Sequence, residues 1–367
     1  MQLLGRRYDT GESVCLETAG ARIVRLAPAP HHLQHASSWP WIAPGLLDLQ
    51  VNGYGGQEFS DAGLTPGRVA EIAERMLALG VTRFCPTVTT QAFDVLCHAL
   101  GTIRRACECS ALVARMVAGV HLEGPYISPE DGPRGHAAPE HCRRPSWDEL
   151  ERLQEAAGGR IRLLTMGVEF DEAAAFIQKA TAAGVVVGIG HTAADSLGIR
   201  RAVEAGARLS THLGNGIHPI LPRHPNYLWD QLAEDRLHAS LVADGEHLPP
   251  EVLKVFIRAK TPSRCILVSD MPALAGLPHE SPRTLGDGVA NVMQFAGLDL
   301  ATAVAMAAQN PANLLGVARG SLTLGEPADL VQFRLVGEAG SPGGLRFELC
   351  STILGGQVAW GRPWQPD

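Results

Sequence analysis

MVAGVHLEGP, residues 116–125, is a short apolar run that ends in ionisable side chains, with Glu123 two positions after His121. Such a run, bounded by Gly, predicts a strand that is buried on both faces. Seven other runs have the same form: GLLDLQV (45–51), VTRFCPT (81–87), IRLLTMG (161–167), VVVGIG (185–190), RLSTHL (208–213), HASLVAD (238–244) and RCILVSD (264–270). Eight such strands in alternation with helical patterns predict a (β/α)8 barrel built from parallel βαβ units.

Helical patterns fill the spaces between the runs, as in TPGRVAEIAERMLALG (65–80) and LPPEVLKVFIRAK (248–260). Several of these stretches open on Thr, Ser, Asp or Pro and close on Gly, which are favoured at helix starts and ends. In a (β/α)8 barrel the active site lies at the carboxyl ends of the strands. We therefore expect the polar residues at the ends of the runs to meet in one cleft: Gln50, Asn52, Glu123, His191, His212, Asp244, His247 and Asp270.

The chain has 367 residues, which is more than a typical barrel needs, and the excess is at its two ends. Strand-like segments occur near the N-terminus, in SVCLETAG and ARIVRLA, and near the C-terminus, in GSLTLGEPADLVQFRL and RFELCSTILGG. We predict a small β-sheet domain formed by residues 1–44 and 320–367, beside a barrel domain of residues 45–319.

The composition is that of a globular enzyme, with 46% hydrophobic residues, 19% charged residues and a formal charge of −7. Basic clusters are lacking and aromatic residues make up only 5%, so we expect no nucleic-acid partner. No apolar stretch approaches the ~20 residues that span a bilayer, and the N-terminus lacks a secretory pattern, so we expect a cytoplasmic protein without membrane contact. The eight scattered cysteines are predicted to be free thiols.

Three side chains at predicted strand ends offer the ligand set of a catalytic metal site. Glu123, His191 and His212 follow the third, fifth and sixth runs. A catalytic divalent ion such as Zn²⁺ takes three protein ligands of this type and keeps one position open. Asp270 is the last residue of the eighth run, where a carboxylate can take a proton from water and later return it to a leaving group. The pattern predicts a metal-dependent hydrolase.

A series of short motifs runs through the barrel in a fixed order: HLEGP, GHT, THLGNG, DGEHL, SDMPALAG, AQNPANLLG and GSLTLGEPADLV. In this order they resemble the N-acetylglucosamine-6-phosphate deacetylases, a family of the amidohydrolase superfamily. The resemblance extends from about Pro44 to about Val331. It implies a (β/α)8 barrel with a small β-sandwich made from both termini, and a homodimer. It also implies an enzyme that converts N-acetylglucosamine 6-phosphate into glucosamine 6-phosphate and acetate.

The resemblance further implies which residues would contact the substrate. His247 would contact the sugar, and His136, in the string RGHAAPEH, would also reach it. Asn215 and Gly216 stand where the family binds the phosphate through a side chain and backbone N–H groups. Arg223 matches a family arginine that reaches the phosphate across a dimer interface.

The resemblance assigns the metal to Glu123, His191 and His212, and it makes Asp270 the general base and acid of the hydrolysis. Superfamily members with two metals usually carry His-x-His after the first strand, where this chain has Gln50 and Asn52. Amide side chains are poor ligands for transition metals, so we expect one ion and an empty second position. We expect zinc, and the same ligands also suit iron, cobalt and manganese.

Two segments depart from the family pattern. Gly214 stands where the family usually has a bulky residue, so the floor of the sugar pocket is expected to differ. The chain also passes directly from AGLPHESPRTLGDG (275–288) to VANVMQF, where the family has a longer insert that faces the substrate. We expect this loop to be short or missing after Gly288.

Two other functions are compatible with the sequence. In the first, the same metal chemistry acts on another N-acyl amino sugar, such as N-acetylgalactosamine 6-phosphate, or on an N-acyl amino acid or a cyclic amide. In the second, the barrel binds an amino sugar without catalysis. The presence of both a ligand set and a proton-transfer residue favours an enzyme over a binding protein.

Overall fold

All eight predicted strands are present in the computed structural model, which describes residues 1–30, 39–278, 283–318, 320–340 and 344–365. The strands in chain order are β1 Gln2–Arg7, β2 Ser13–Ala19, β3 Arg22–Pro28, β4 Trp41–Pro44, β5 Leu46–Val51, β6 Gly53–Tyr54, β7 Gln57–Glu58, β8 Val81–Thr89, β9 Val120–Glu123, β10 Ile161–Met166, β11 Val186–Ile189, β12 Leu209–Ser210, β13 His238–Val242, β14 Cys265–Val268, β15 Leu330–Val336, β16 Arg346–Leu354 and β17 Gln357–Gly361. The helices are α1 Pro66–Leu77, α2 Phe93–Cys109, α3 Ala111–Met116, α4 Trp147–Ala156, α5 Ala173–Ala182, α6 Ser196–Ala205, α7 Tyr227–Ala233, α8 Pro250–Lys260, α9 Leu285–Ala296, α10 Leu300–Ala307 and α11 Gln309–Leu315.

The central sheet is parallel and runs in the order β5-β8-β9-β10-β11-β12-β13-β14. It closes between its first and last strands, where Met271 bridges Val51 and the Asn52 N–H donates to the Met271 carbonyl at 2.9 Å. Helices follow the strands around the outside, as each parallel connection requires. The predicted (β/α)8 barrel is therefore confirmed.

Helix α1 illustrates how the local sequence forms the outer layer. The Thr65 side chain caps the helix by accepting from the Arg68 N–H, and Pro66 occupies its first position. Its buried residues Val69, Ile72 and Met76 recur at helical spacing and face the barrel. Burial of each such side chain stabilises the fold by roughly 1.5–3 kcal/mol.

Both chain ends contribute to a second sheet of seven strands in the order β17-β16-β15-β4-β1-β2-β3. It is antiparallel except for the β1–β4 pair. The Ile23 N–H on β3 donates to the Glu326 carbonyl at 3.0 Å, so the sheet bends back toward the segment before β15. A small apolar core that includes Leu16, Ile42 and Leu330 lies within it. The division at residues 44 and 320 stays a prediction about domain boundaries.

The segment where the sequence predicts a short or missing loop forms the start of helix α9, and the comparison with the longer family insert stays a prediction. Residues 285–296 form helix α9, in which Gly288 lies inside the first turns, and Thr284 and Asp287 form a capping box at its start. A helix with satisfied N-terminal N–H groups has no room for a loop at that point. The preceding string AGLPHESPR includes residues 279–282, which lie outside the described residues.

Two other features bear on the sequence predictions. The eight cysteines are free, and Cys85 and Cys265 are fully buried in the barrel. None of the helices in the described part of the chain combines the length and the apolar character of a transmembrane span.

Candidate active site

Three side chains converge at the carboxyl end of the barrel. Glu123 is the last residue of β9, and His191 and His212 lie just beyond β11 and β12. The Glu123 Oε1 atom is 3.1 Å from His191 Nε2 and 2.9 Å from His212 Nε2, and the two imidazole nitrogens are 3.0 Å apart. Across the described ranges, this is the group of His, Cys, Asp and Glu side chains whose ligand atoms cluster tightly enough for a metal ion.

The geometry of these atoms fits one divalent ion. Two donors that bind a tetrahedral ion at ~2.1 Å lie roughly 3.4 Å apart, somewhat farther than the separations observed without an ion. The His191 Nδ1 atom is 2.7 Å from the Pro133 carbonyl, so it carries the proton and leaves the Nε2 lone pair for a metal. Part of the Glu123 negative charge would be neutralised by the ion, which explains why a carboxylate is tolerated at this depth.

The electrostatics of the three side chains support the same interpretation. Burial alone would raise the pKa of Glu123, but the hydrogen bonds and charges of His191 and His212 outweigh it and hold this pKa well below its usual range. Burial opposes protonation of His212, yet the Glu123 carboxylate raises the pKa of His212 to about 9. The site therefore favours a bound positive charge. A proton on His212 supplies this charge when no metal ion is bound.

Three residues of the site occupy the left-handed region of backbone space. The φ angles are 52° at His191, 31° at His212 and 48° at Asp270, and Thr261 is the other non-glycine residue with positive φ in the described ranges. Each such conformation costs about 1–3 kcal/mol and persists only where the surrounding structure enforces it. This concentration of strain at the barrel mouth is typical of a functional site.

Two amide side chains, Gln50 in β5 and Asn52 directly after it, contact the site as hydrogen-bond donors. Gln50 Nε2 donates to Glu123 Oε1 at 2.9 Å, and Asn52 Nδ2 donates to Asp270 Oδ1 at 2.8 Å. Amide nitrogens carry no lone pair for a metal. This arrangement supports the prediction of a single ion, with the amides orienting the two carboxylates.

Asp270 follows β14 and faces the three ligand residues. Burial and the charge of Glu123 raise the pKa of Asp270 above its usual range, against the opposing effect of His212 and the hydrogen bond from Asn52. A carboxyl group with a raised pKa can both accept and return a proton. A bound cation would lower this pKa and so favour the base form before the reaction begins.

A buried polar layer lies directly beneath the site. His121 Nε2 contacts the Thr165 hydroxyl at 2.7 Å, and this hydroxyl lies 2.7 Å from that of Thr211. Burial lowers the pKa of His121 to about 4, so its ring is neutral. The layer fixes the strand ends that carry the ligands without adding charge below them.

A cavity of about 640 Å³ opens above the predicted ligands and Asp270. His136, Asn215, Gly216 and His247, which the sequence placed in the substrate site, all line it. Asn215 Nδ2 is buried there with no partner among the described residues, so its N–H groups are free to meet a ligand. Gly216 has φ of 58°, and an added Cβ would lie 2.8 Å from the His191 ring, so only glycine fits.

His247 is held at the cavity by a charged pair. Its Nδ1 atom contacts Asp244 Oδ2 at 2.7 Å, and Arg283 Nη1 donates to the same oxygen at 2.8 Å. The hydrogen bond to Asp244 raises the pKa of His247, against the opposing effect of burial. When protonated, His247 would offer Nε2–H to a ligand as a donor with positive charge.

Arg223 is exposed on the protomer and does not line the cavity. Sequence reasoning also missed several residues that do: Glu58, Thr89, Thr90, Gln91, Arg134 and His141. Most of them lie in loops, where hydrophobic periodicity gives no signal. His141 belongs to the string RGHAAPEH, in which the family pattern points only to the first histidine.

The arrangement defines a class of protein. Three convergent ligands at the ends of barrel strands, with a carboxylate of raised pKa beside them under an open cavity, are the parts of a metal-dependent hydrolase.

Comparisons with known proteins agree with this class. The sequence model of the amidohydrolase family matches residues 41–343. The chain is 30% identical over 320 residues to the N-acetylglucosamine-6-phosphate deacetylase of Bacillus subtilis, which covers 79% of this chain and 80% of that protein. It is 33% identical over 328 residues to the Bos taurus protein of that name, with coverage of 79% and 78%. The crystal structure of N-acetyl-D-glucosamine-6-phosphate deacetylase from Mycobacterium smegmatis superposes with a TM-score of 0.83 at 27% identity, over 98% and 99% of the two chains. The chain belongs to the amidohydrolase family. The three relatives named above are deacetylases of N-acetylglucosamine 6-phosphate.

Proposed function

We propose that this protein hydrolyses N-acetylglucosamine 6-phosphate to glucosamine 6-phosphate and acetate. The observation that carries the proposal is the position of Asp270, which faces the predicted metal ligands and is oriented by Asn52 under the cavity. The cavity volume of about 640 Å³ lies within the ~300–1,000 Å³ of typical small-molecule sites. Relatives with this activity cover most of the chain.

Glu123, His191 and His212 would hold one divalent ion. When bound, such an ion polarises the amide carbonyl and lowers the pKa of the attacking water. The hydrogen bond from Asn52 occupies Asp270 Oδ1, so Oδ2 is the atom that takes the proton from the water. Asp270 then gives this proton to the departing nitrogen, because an amine leaves poorly until it is protonated.

The sugar phosphate would bind in the cavity through donors that line it. We assign the phosphate to Asn215 and Gly216, on the evidence of the unpartnered Asn215 Nδ2 and of the close backbone approach that Gly216 permits. His247 and His136 would contact the sugar and the acetamide group. The raised pKa of His247 favours its protonated form, which would attract a substrate that carries negative charge.

We further propose that the protein is a homodimer in which Arg223 reaches the partner's site. Ile220 and Trp229, which flank Arg223 along the chain, are 86% and 52% exposed on the protomer. Exposed large apolar side chains in one segment indicate a protein contact. A second copy that covers this segment would bury them and bring Arg223 toward a neighbouring cavity.

Zinc is the ion that we infer, because two imidazoles and one carboxylate suit its tetrahedral preference. Iron, cobalt and manganese remain compatible with the same donors. The cytoplasmic location stays a prediction from the sequence.

The test is acetate release from N-acetylglucosamine 6-phosphate by metal-replete protein, beside unphosphorylated N-acetylglucosamine and N-acetylgalactosamine 6-phosphate. We expect turnover that a chelator abolishes and that strongly favours the phosphorylated glucosamine derivative. Faster acetate release from N-acetylgalactosamine 6-phosphate would mean that this sugar phosphate is the substrate instead. Absence of acetate release from all three, with one metal still bound, would reject the proposal and favour another N-acyl or cyclic amide.

A further inference from the structure

One arginine lines the cavity, and the proposed function gives it no task. Among the described residues that form the cavity wall, Arg134 is the single Lys or Arg; the other nitrogen-bearing side chains there are histidines and amides. Its side chain is only 24% exposed. A cation in a partly enclosed site needs an anionic partner, so its neighbours decide what it can bind.

The guanidinium of Arg134 is incompletely paired. Nη1 donates to the Ala137 carbonyl at 3.0 Å, and Nη2 forms an ion pair with Asp131. The Asp131 side chain is 90% exposed, and ion pairs with exposed carboxylates are weak. The Nε atom of Arg134 is buried and has no hydrogen-bond partner in the described part of the chain. The side chain therefore has donors available for a further anion.

The turn that carries Arg134 packs against the loop assigned to the phosphate. Glu130 Oε2 contacts His218 Nε2 at 3.0 Å, and an added Cβ at Gly132 would lie 2.9 Å from the Ile217 carbonyl. At its other end, the Pro133 carbonyl binds His191. Arg134 is thus held between the predicted metal site and the loop of Asn215 and Gly216.

We propose that Arg134 recognises the phosphate of the substrate from within the same protomer, as a specificity-determining residue. This inference rests on the proposed function, because it presupposes a phosphorylated sugar in the cavity. A guanidinium presents parallel N–H groups that match phosphate oxygens, and such charge-assisted hydrogen bonds are stronger than neutral ones. The phosphate takes the place of the exposed Asp131 carboxylate as the main partner of Arg134.

Binding of the product tests Arg134 independently of turnover. Calorimetry would compare glucosamine 6-phosphate with glucosamine on metal-replete wild type, Arg134→Gln and Arg134→Lys. We expect Arg134→Gln to weaken binding of the phosphorylated sugar by about tenfold or more and to leave glucosamine binding unchanged. The Lys variant, which keeps the charge, should recover part of the loss. Asp131→Asn, which removes the competing carboxylate, should tighten binding of the phosphorylated sugar.

The matched control is Arg144→Gln, since Arg144 is exposed, pairs with Glu172 and does not line the cavity. It should behave as wild type. If Arg134→Gln weakened the binding of both sugars equally, Arg134 would have a structural role and the inference would be overturned. The inference also fails if wild type binds the two sugars equally, or if Arg134→Gln keeps the full wild-type preference for the phosphorylated sugar. If the proposed function is wrong, the wild type will release no acetate. That outcome is independent of the binding results for Arg134.

Discussion

Asp270 combines a strained backbone, a hydrogen bond from Asn52 and a raised pKa in one residue. Asp270→Asn keeps its size but removes its ability to accept a proton. We expect acetate release to fall by about 10³-fold or more, with metal content near that of wild type. Activity and metal analysis on the same preparation check this. Substantial turnover in the variant would remove Asp270 from the role of general base.

His212 links metal binding to proton release. The Glu123 carboxylate raises the pKa of His212 to about 9 despite the opposing effect of burial, so the ring is protonated at neutral pH without metal. A ligand imidazole must be neutral, so binding of the ion displaces this proton. We expect metal affinity to rise with pH up to about pH 9, with about one proton released per ion near pH 7.

Calorimetry of metal binding in buffers of different ionisation enthalpy measures that proton. His98→Gln is a suitable control, because His98 contacts the Leu64 carbonyl away from the site. Metal binding that is independent of pH between about 6 and 9 would contradict the linkage.

Individual site residues were predictable where a strand fixes them. Glu123, His191 and His212 follow apolar runs, so barrel topology alone brings them together. Arg134 and His141 were missed because they lie in the long loop after β9, whose path depends on tertiary contacts. Arg223 could be identified only by resemblance, since on the protomer it faces solvent.

At the level of elements, the strand positions follow from the sequence but their lengths do not. The run RLSTHL predicted a strand over residues 208–213, whereas β12 comprises only Leu209–Ser210. His212 departs from strand geometry because its positive φ turns the imidazole toward Glu123.

The junction between β5 and β14 contains a buried carboxyl group with its own pH dependence. Asp48 Oδ1 accepts from the N–H groups of Gln50 and Ser269, each at 3.2 Å, and the residue is 1% exposed. Burial raises the pKa of Asp48 to about 7 from its usual 3.8. Between these values the folded protein keeps a proton that the unfolded chain loses, so stability falls as pH rises from about 4 to 7.

Asp48→Asn removes this titration and keeps an oxygen acceptor for both N–H groups. Its free energy of unfolding relative to wild type should rise by roughly 2–3 kcal/mol between pH 5 and pH 7 and then level off. Denaturant unfolding at several pH values measures it. Asp9→Asn is the control: the hydrogen bond from Arg7 lowers the pKa of Asp9, so this variant should show no slope in that range. A flat difference for Asp48→Asn would mean that Asp48 is ionised throughout.

For the whole molecule, the sequence predicted the layers but not how the two ends interleave. Strand β4 lies between β1 and β15, so segments that are far apart in the chain alternate within one sheet. Specific polar contacts attach this sheet to the barrel: Asp329 accepts from Arg115, and the Thr352 hydroxyl donates to the Leu77 carbonyl at 2.7 Å. Pairings over such separations depend on tertiary packing rather than on local pattern.

The proposed dimer places two roles on different subunits, which makes it testable by mixing two defective proteins. Asp270→Asn lacks the proton acceptor, and Arg223→Gln lacks the group that reaches the partner's phosphate site. In a mixed dimer, one site combines the intact Asp270 of one subunit with the intact Arg223 of the other. We therefore expect co-refolded or co-expressed variants to regain roughly a quarter of wild-type activity on the phosphorylated sugar, since half of random dimers are mixed and each has one complete site.

Sedimentation of the wild type checks the dimer itself, and Ile220→Asp should dissociate it, because that side chain is 86% exposed on the protomer. Mixing Asp270→Asn with Asn52→Ala is the matched negative control. Both lesions affect groups of the same subunit's site, so a mixed dimer contains no complete site. If the Arg223→Gln mixture also regains nothing while both variants remain dimeric, Arg223 does not act across the interface, and phosphate recognition falls to residues of the same protomer.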